Sequence, residues 1–556
     1  NQTIETFPTF LMVLRKGLFW HYLEPCNLRP IVKEEYKEPC SRLYIKDKKT
    51  LLFEVTYYKK RINFEVFHVL TDGTGATEFL KELVKNYLYL VHKEEGLEQV
   101  TLLPEDMTLQ DQEDDSFLKY YSKDQKRPKK RKLNAFQIRR KKKDGNHLHV
   151  HESVVSVQAV LKRSRELGVS MTIFLTALFM MAINEEMSKM QKKKPVVLMV
   201  PVNLRKFFPS SSMLNFFNWI EPGYNFTTQD QSFEAVLKHT KEFFETELTK
   251  EKMSAHISEL LALELHPILR LAPLELKNLC IQAGAKYSEK NTTAIFSNMS
   301  AVKMPASYVP YIERFGVYTN TPKLELCLCS FQDKLSFAFT SRYDTVNIER
   351  NFYRLLKEQG ITSEKVKPEF PKTGKPSEQE MKVYKIYSFL CIATVAVMLV
   401  TDLNFHPRIR WTLFTAGGVV TMWIASSIGF FKRYNLLKNA MWQLIIGTII
   451  CFIWDALTGW HSWSVDLVLP IMSVSTLAAM FVTAKVQKSP VREYLIYEIM
   501  AAGYGLILPV ILLLCGVVKN PTVSMFGALT CFLFLVAVIL FKGREFKEEM
   551  QKNLHV

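Results

Sequence analysis

His68, Asp72 and Gly73 stand in the stretch FEVFHVLTDG (residues 64–73) as a single His-x-x-x-Asp-Gly. An imidazole whose pKa lies near ~6.5 can take a proton from a hydroxyl at neutral pH without strong tuning. Acyl transfer from a thioester to a hydroxyl needs such a base, together with a hydrogen-bond donor for the tetrahedral oxyanion. Gly73 suits a tight turn that brings the histidine and the following segment close together. Three fixed residues in six positions form a weak motif, and a single histidine is more commonly an ordinary hydrogen-bonded polar residue.

The flanking pattern says what presents these residues. Residues 51–58 and 62–67 are rich in β-branched and aromatic side chains and are separated by Lys59-Lys60-Arg61, which predicts a β-hairpin. Phe79, Leu80, Leu83, Tyr87 and Leu90 then recur at helical spacing, with Thr74 expected to cap the helix. His68 is therefore expected at the end of a strand, facing whatever lies before the sheet.

Other stretches follow in order: VLMVPVNLR (197–205) with Asn215-Phe216-Phe217 beyond it, SNMS (297–300) with Pro305, and LCSFQDKLSFAFTSRYD (328–344) with a helix-like 347–359. Together with the histidine motif they resemble the chloramphenicol acetyltransferase-like superfamily, which holds condensation domains, wax ester synthases and alcohol acetyltransferases. The resemblance spans residues 1 to about 362. It implies an α/β two-subdomain sandwich, with a tunnel between subdomains and His68 as the catalytic base, since Phe67 stands where the usual first histidine would be. It implies that Asp72 turns from the substrate into a structural salt bridge with an arginine, for which Arg205 is the choice. Ser297 and Asn298 are the candidates for an oxyanion or tunnel role, against the reading that they are plain strand-end turn residues. The glycine expected after Ser297-Asn298 is absent, and so is the late Asp-Phe-Gly-Trp-Gly of the plant enzymes; this favours the bacterial alcohol acetyltransferase-like branch. The chain begins at Asn1 with a segment that normally follows a first strand and helix, so an N-terminal piece is expected to be missing.

Hydropathy divides the chain near residue 383. Beyond it lie apolar stretches at 384–401, 411–431, 439–460, 465–484, 494–516 and 522–541. Each is close to the ~20 residues that cross a bilayer as a helix. Basic residues gather before the first stretch, in alternate loops (Lys432, Arg433 and Lys438; Lys485, Lys488 and Arg492) and in the tail, which places that side in the cytoplasm. The expected organisation is an acyltransferase-like domain at 1–365 (subdomains about 1–125 and 152–365, crossover 123–151), a linker at 366–382, an all-α six-helix transmembrane domain at 383–542 and a basic cytoplasmic tail at 543–556.

The nine cysteines are scattered, with no disulfide framework and no Cys-x-x-Cys metal site. The formal charge of +17 is concentrated in the run Lys123 to Lys143. Without a recognisable binding module this does not indicate nucleic acid. Anionic head groups, coenzyme A phosphates or a solvated crossover loop account for it. His147, His149 and His151 share one strand face, and a polar face is preferred over a metal site because no fourth ligand is suggested. Asp455, His461 and Asp466 lie among Trp454, Trp460 and Trp463, which reads as an interfacial belt or part of a lipid site, and Glu498 reads as a snorkelling or functional intramembrane acid.

The sequence thus predicts an integral membrane protein of a bacterial cell membrane that carries an acyl-CoA-dependent O-acyltransferase. The acyl group, acetyl among them, goes from coenzyme A to a hydroxyl of a lipid or hydrophobic alcohol, with acyl-CoA a co-substrate and no bound cofactor. The alternatives are a condensation-type enzyme that uses a carrier-bound thioester, and a non-catalytic acyl-CoA-binding module on a membrane transporter or sensor.

Overall fold

The computed structural model describes the chain except residues 18, 46–47, 105–106, 123–133, 139–147, 344, 367, 371–375, 406–410, 433–434, 487–490 and 555–556. Most of the basic run, His147 and Asp344 therefore lie outside the described residues. Two compact units are present, one made of 1–44 and 50–373, the other of 374–556 with 45–49.

The strands of the first unit are β1 (Met12–Lys16), β2 (His21–Pro25), β3 (Lys33–Glu34), β4 (Phe53–Tyr58), β5 (Arg61–Val66), β6 (His149–Ser156), β7 (Val196–Asn203), β8 (Phe217–Ile220), β9 (Gly223–Tyr224), β10 (Ala294–Ala301), β11 (Glu325–Phe331), β12 (Lys334–Ser341) and β13 (Glu364–Val366). The larger sheet runs β13-β6-β12-β11-β10-β7-β8, with β9 also on β7. β10 is parallel to both β7 and β11, and the other pairs in this sheet are antiparallel. A smaller sheet, β3-β4-β5, carries the hairpin that leads to His68. Tyr58 pairs with Arg61, so Lys59-Lys60 form a two-residue turn with Lys59 at φ 53°.

Each sheet has a core that follows from strand alternation. Leu326 and Leu328 of β11, Phe337 and Phe339 of β12 and Phe296 of β10 point into one core with the helix Met171–Glu185, whose residues 173–180 are all buried. Glu325 and Cys327 take the opposite face of the sheet. Phe53 and Val55 of β4 pack with Phe7, Phe10, Leu70 and Phe79, and the Phe10 and Phe79 rings are 4.4 Å apart. That second core seats the helix Gly73–His92 against the hairpin.

The expected helix cap needs correction. Thr74 does not cap this helix; Asp72 does, because its carboxylate reaches both Thr74 N and Gly75 N. Residues 149–156 extend as β6 because Val150 to Ser156 pair with β12. The short helix Leu109–Glu113 is opened by a Thr108/Asp111 capping box. His149 and His151 lie in β6, and His151 Nε2 is 3.9 Å from Glu349 Oε2. No group of three or more metal-ligating side chains occurs among the described residues.

Glu349 sits in the first turn of the helix Asn347–Glu358 and is 4 % exposed; burial pushes its carboxyl up to about 8. The folded chain therefore keeps this proton between roughly pH 4.5 and 8, where the unfolded chain gives it up. Its contribution to stability is present below that window and is lost as pH rises through it. Glu349→Gln removes the dependence. The expected result is a variant whose advantage in melting temperature over the parent grows from pH 5 to pH 8.5, by about 4 kcal/mol across that range. An advantage that does not change with pH contradicts the assignment.

The second unit is helical: Pro376–Phe405, Trp411–Lys432, Leu436–Leu457, Leu469–Val486 preceded by a π-turn at Ser464–Val468, Val491–Leu514 and Pro521–Leu554. Among the described residues five segments are long and apolar enough to cross a membrane: Lys382–Thr401, Leu436–Leu457, Ser464–Val486, Tyr494–Leu514 and Pro521–Lys542. The sixth expected span, 411–431, is helical, but its described apolar part is only Ala416–Phe430. Leu444, Met480, Ala501, Ala502 and Cys531 lie in the buried centre of this second unit. Asp455 accepts from His461 N at 2.7 Å and from Ser464 N and Oγ at 3.0 and 2.8 Å, and Asp466 accepts from Lys519 N and Asn520 N at 3.0 Å. Both acids thus close loops between helices.

Candidate active site

β5 ends at Val66 and the next helix starts at Gly73. Between them the Leu70 amide donates to Phe67 O at 2.9 Å, and the Leu70 side chain is anchored in the smaller core. His68 and Val69 are left exposed at the tip of the turn.

Asp72 is buried beneath that tip. Its Oδ1 accepts from Thr74 N at 3.0 Å and Gly75 N at 3.1 Å, which satisfies orphan donors of the helix. Its Oδ2 accepts from Arg205 Nη1 at 2.6 Å and from Phe216 N at 2.9 Å. Arg205 extends from just beyond β7, and its Nη2 donates to Ser212 O at 2.7 Å and Leu214 O at 2.8 Å. Thr71 Oγ1 donates to Met213 O at 2.6 Å. Segment 212–216 is thereby laced to segment 71–75.

The glycine that this lacing requires is Gly75. A Cβ at Gly75 would lie 2.6 Å from Met213 O, a backbone atom that is itself held by Thr71. A Cβ at Gly73 would meet only the flexible end of Met299, and Gly73 takes no left-handed φ. The role expected of Gly73 therefore moves two residues on.

Lacing segment 212–216 in place sets Asn215 against the histidine. Asn215 Nδ2 donates to His68 O at 2.8 Å, and this fixes which end of the amide is which. Asn215 Oδ1 then faces His68 Nδ1 at 3.1 Å. An acceptor at that position requires the proton on Nδ1, so Nε2 carries the lone pair. The Phe217 ring, with its centre 5.3 Å from that of the imidazole, packs beside it. The arrangement fixes the imidazole tautomer and leaves its second nitrogen unclaimed by this partner. Asn215→Ala frees the ring to rotate and change tautomer. It is expected to lower turnover about 10–100-fold, part of the ~10²–10⁴ that a positioned base contributes, with little change in KM for the acyl donor. A variant with unchanged turnover removes Asn215 from the site.

Ser297 and Asn298 are not brought together in one role. Asn298 Nδ2 donates to Thr172 Oγ1 at 3.0 Å, and Asn298 Oδ1 accepts from Ser300 N at 2.9 Å, where Ser300 turns at φ 64°. Its amide is committed to the strand end. Ser297 pairs with Cys327 and shares the sheet face of Glu325. Glu325 is 4 % exposed, and burial pushes its carboxyl up against the opposing pull of Thr319, Cys327, Thr321 and His68. Glu325 Oε2 and the hydroxyl of Thr340, its cross-strand neighbour, have no hydrogen-bond partner among the described residues. Glu325 went unremarked in the sequence, although a glutamate heading the otherwise apolar run ELCLCSF was the available signal.

The site can be set beside known families. Residues 31–259 match the alcohol acetyltransferase family. That range holds His68, Asp72, Gly75, Arg205 and Asn215, whereas Ser297 and Asn298 lie beyond it. Residues 370–556 match a family of unknown function, DUF6320. No curated protein matches the chain. Similar solved structures include TRI101 of F. graminearum, complexed with coenzyme A and deoxynivalenol, at 12% identity and TM-score 0.42, covering 65% of this chain and 89% of that one. Polyketide synthase associated protein 5 of Mycobacterium tuberculosis is 11% identical at TM-score 0.41, covering 64% and 87%. The epimerization domain of tyrocidine synthetase B is 12% identical at TM-score 0.38, covering 64% and 86%.

Proposed function

We propose that this chain is a membrane-anchored acyltransferase that moves an acyl group, acetyl among them, from coenzyme A to a hydroxyl of a lipid or hydrophobic alcohol. The alcohol acetyltransferase match supports the reaction class. The observation that carries the reading is the Asn215–His68 arrangement, which leaves an imidazole nitrogen with a lone pair at an exposed turn. In this mechanism His68 Nε2 takes the acceptor's hydroxyl proton as the oxygen bonds to the thioester carbonyl carbon. The tetrahedral intermediate then expels the coenzyme A sulfur as the C–S bond breaks, and the imidazolium returns its proton to that thiolate. Asp72 and Arg205 hold the turn and touch no reacting atom. The apolar helices of 382–542 support the anchor, and the alternation of basic loops, read with six spans, supports a cytoplasmic side for the catalytic unit, where acyl-CoA is made.

The test is transfer of labelled acetyl from acetyl-CoA by the purified full chain in vesicles, offered a lipid extract and a series of long-chain alcohols. Label is expected in an ester, stable to mild acid and released by alkali. A chain that transfers from a carrier-protein thioester but never from coenzyme A contradicts the proposal.

A further inference from the structure

The helix Leu274–Ser288 buries Leu274 and Lys277 in its first turn and leaves every residue from Leu279 onward exposed, with an apolar stripe along one side. Leu276, Leu279, Cys280, Ala283 and Tyr287 follow the spacing of a single helix face. That face is open: Leu276 is 54% exposed, Leu279 and Tyr287 are each 66% exposed, and Cys280 is exposed. The charged residue Lys277 points inward instead, 4% exposed, with Nζ 2.8 Å from Phe19 O, 3.1 Å from Arg270 O and 3.6 Å from the centre of the Trp20 ring. Leu271, at the end of the short helix Pro267–Leu271, is 73% exposed.

A helix on a water-facing surface is arranged the other way round. The helix Asn347–Glu358 of the same unit shows this, with Phe352, Leu355 and Leu356 buried and Arg354 and Lys357 outside. Lysine is rarely buried when a leucine could be buried instead. The open stripe of Leu276, Leu279, Cys280, Ala283 and Tyr287 is the kind of exposed apolar surface that marks an interaction site.

The chain itself indicates which apolar partner is at hand. β13 ends at Val366 and the first candidate span starts at Lys382, so the intervening chain can reach at most roughly 55 Å. A unit tethered that closely never leaves the neighbourhood of a bilayer. We propose that the Leu276–Tyr287 face is a lipid-docking surface that lies in the interfacial layer of the membrane in which the C-terminal helices are embedded. This rests on the membrane reading of residues 382–542.

Cys280, at the centre of the face, provides the probe. The full chain, with Cys40, Cys451 and Cys515 replaced by serine, is reconstituted in phosphatidylcholine–phosphatidylglycerol vesicles and labelled at Cys280 with a nitroxide. Collisions with oxygen, which partitions into lipid, are expected to exceed those with a water-soluble nickel chelate several-fold. A label at Gln282→Cys, on the flank of the helix, should show the reverse ratio. Leu276→Glu with Leu279→Glu should turn the Cys280 label water-like while the chain stays in the vesicles. A Cys280 label as open to nickel as that at Gln282 overturns the proposal. So does protection that rises with the protein-to-lipid ratio, since that result assigns the face to a second copy of the chain. Retention through an alkaline carbonate wash separates the two readings: a chain that stays while its label is water-exposed refutes the docking face alone, and a chain that washes off refutes the membrane reading as well.

Discussion

His68→Ala is expected to lower acyl transfer by about 10²–10⁴-fold, the share of the rate that a positioned general base supplies. The loss falls on kcat, because the imidazole is asked to act on the acceptor's proton and not to hold the coenzyme. The fold is expected to survive the change. His68 is exposed, and its ring meets Asn215 and Phe217 at the tip of a turn whose own anchors are Leu70 and Asp72. A melting temperature within about 2 °C of the parent, with coenzyme A binding unchanged, shows that the loss is chemical; a surface change of ~0.5 kcal/mol would move it by no more. His68→Gln restores size and one hydrogen bond but has no basic nitrogen, so its rate stays as low. Residual activity within twofold of the parent in either variant ends the role of His68 as base, and the acyl-CoA-binding reading would then take its place.

What the sequence reveals and what it withholds divide along the distance over which a contact acts. The hairpin, the helix after it and the apolar helices beyond residue 382 are legible because they rest on alternation, helical spacing and length, all local properties. The Asp72–Arg205 pair is legible only through the resemblance, since 133 residues separate its members. Asn215 stands in the quoted run, but its hold on the His68 tautomer depends on a contact across 147 residues that no periodicity encodes. Gly75 escaped notice for a related reason: its constraint comes from Met213 O, and Gly73, nearer the histidine, drew the inference instead. Residues 149–156 mix polar and apolar side chains, and β6 exists because it is paired on both sides, by β12 and by β13. Ser297 and Asn298 look alike in a sequence; the structure distinguishes them, since one amide is spent on Thr172 and one hydroxyl shares a face with Glu325.

Removing either half of the Asp72–Arg205 pair is expected to destabilise the catalytic unit by about 3–5 kcal/mol, the cost of leaving one member of a buried ion pair uncompensated. The side chains are only 5% and 12% exposed, so solvent offers little relief. The two losses differ in kind. Without Asp72, the helix Gly73–His92 loses its cap and Arg205 keeps its bonds to the carbonyls of Ser212 and Leu214. Without Arg205, those carbonyls lose their donor and the carboxylate keeps three backbone amides, from Thr74, Gly75 and Phe216. Arg205→Ala should therefore loosen segment 212–216 more, and Asn215 with it, so that turnover falls about tenfold or more in the folded fraction as the base loses its positioning. Arg205→Lys should not rescue it, because one ammonium cannot span an aspartate and two carbonyls set around a planar fork. The double variant is expected to be less damaging than the sum of the singles, since neither charge is then stranded. Thermal melts and single-turnover rates of the four proteins test this directly. Additive losses, or Arg205→Lys at parental activity, would show that the pair is incidental to the site and that the turn holding His68 is secured elsewhere.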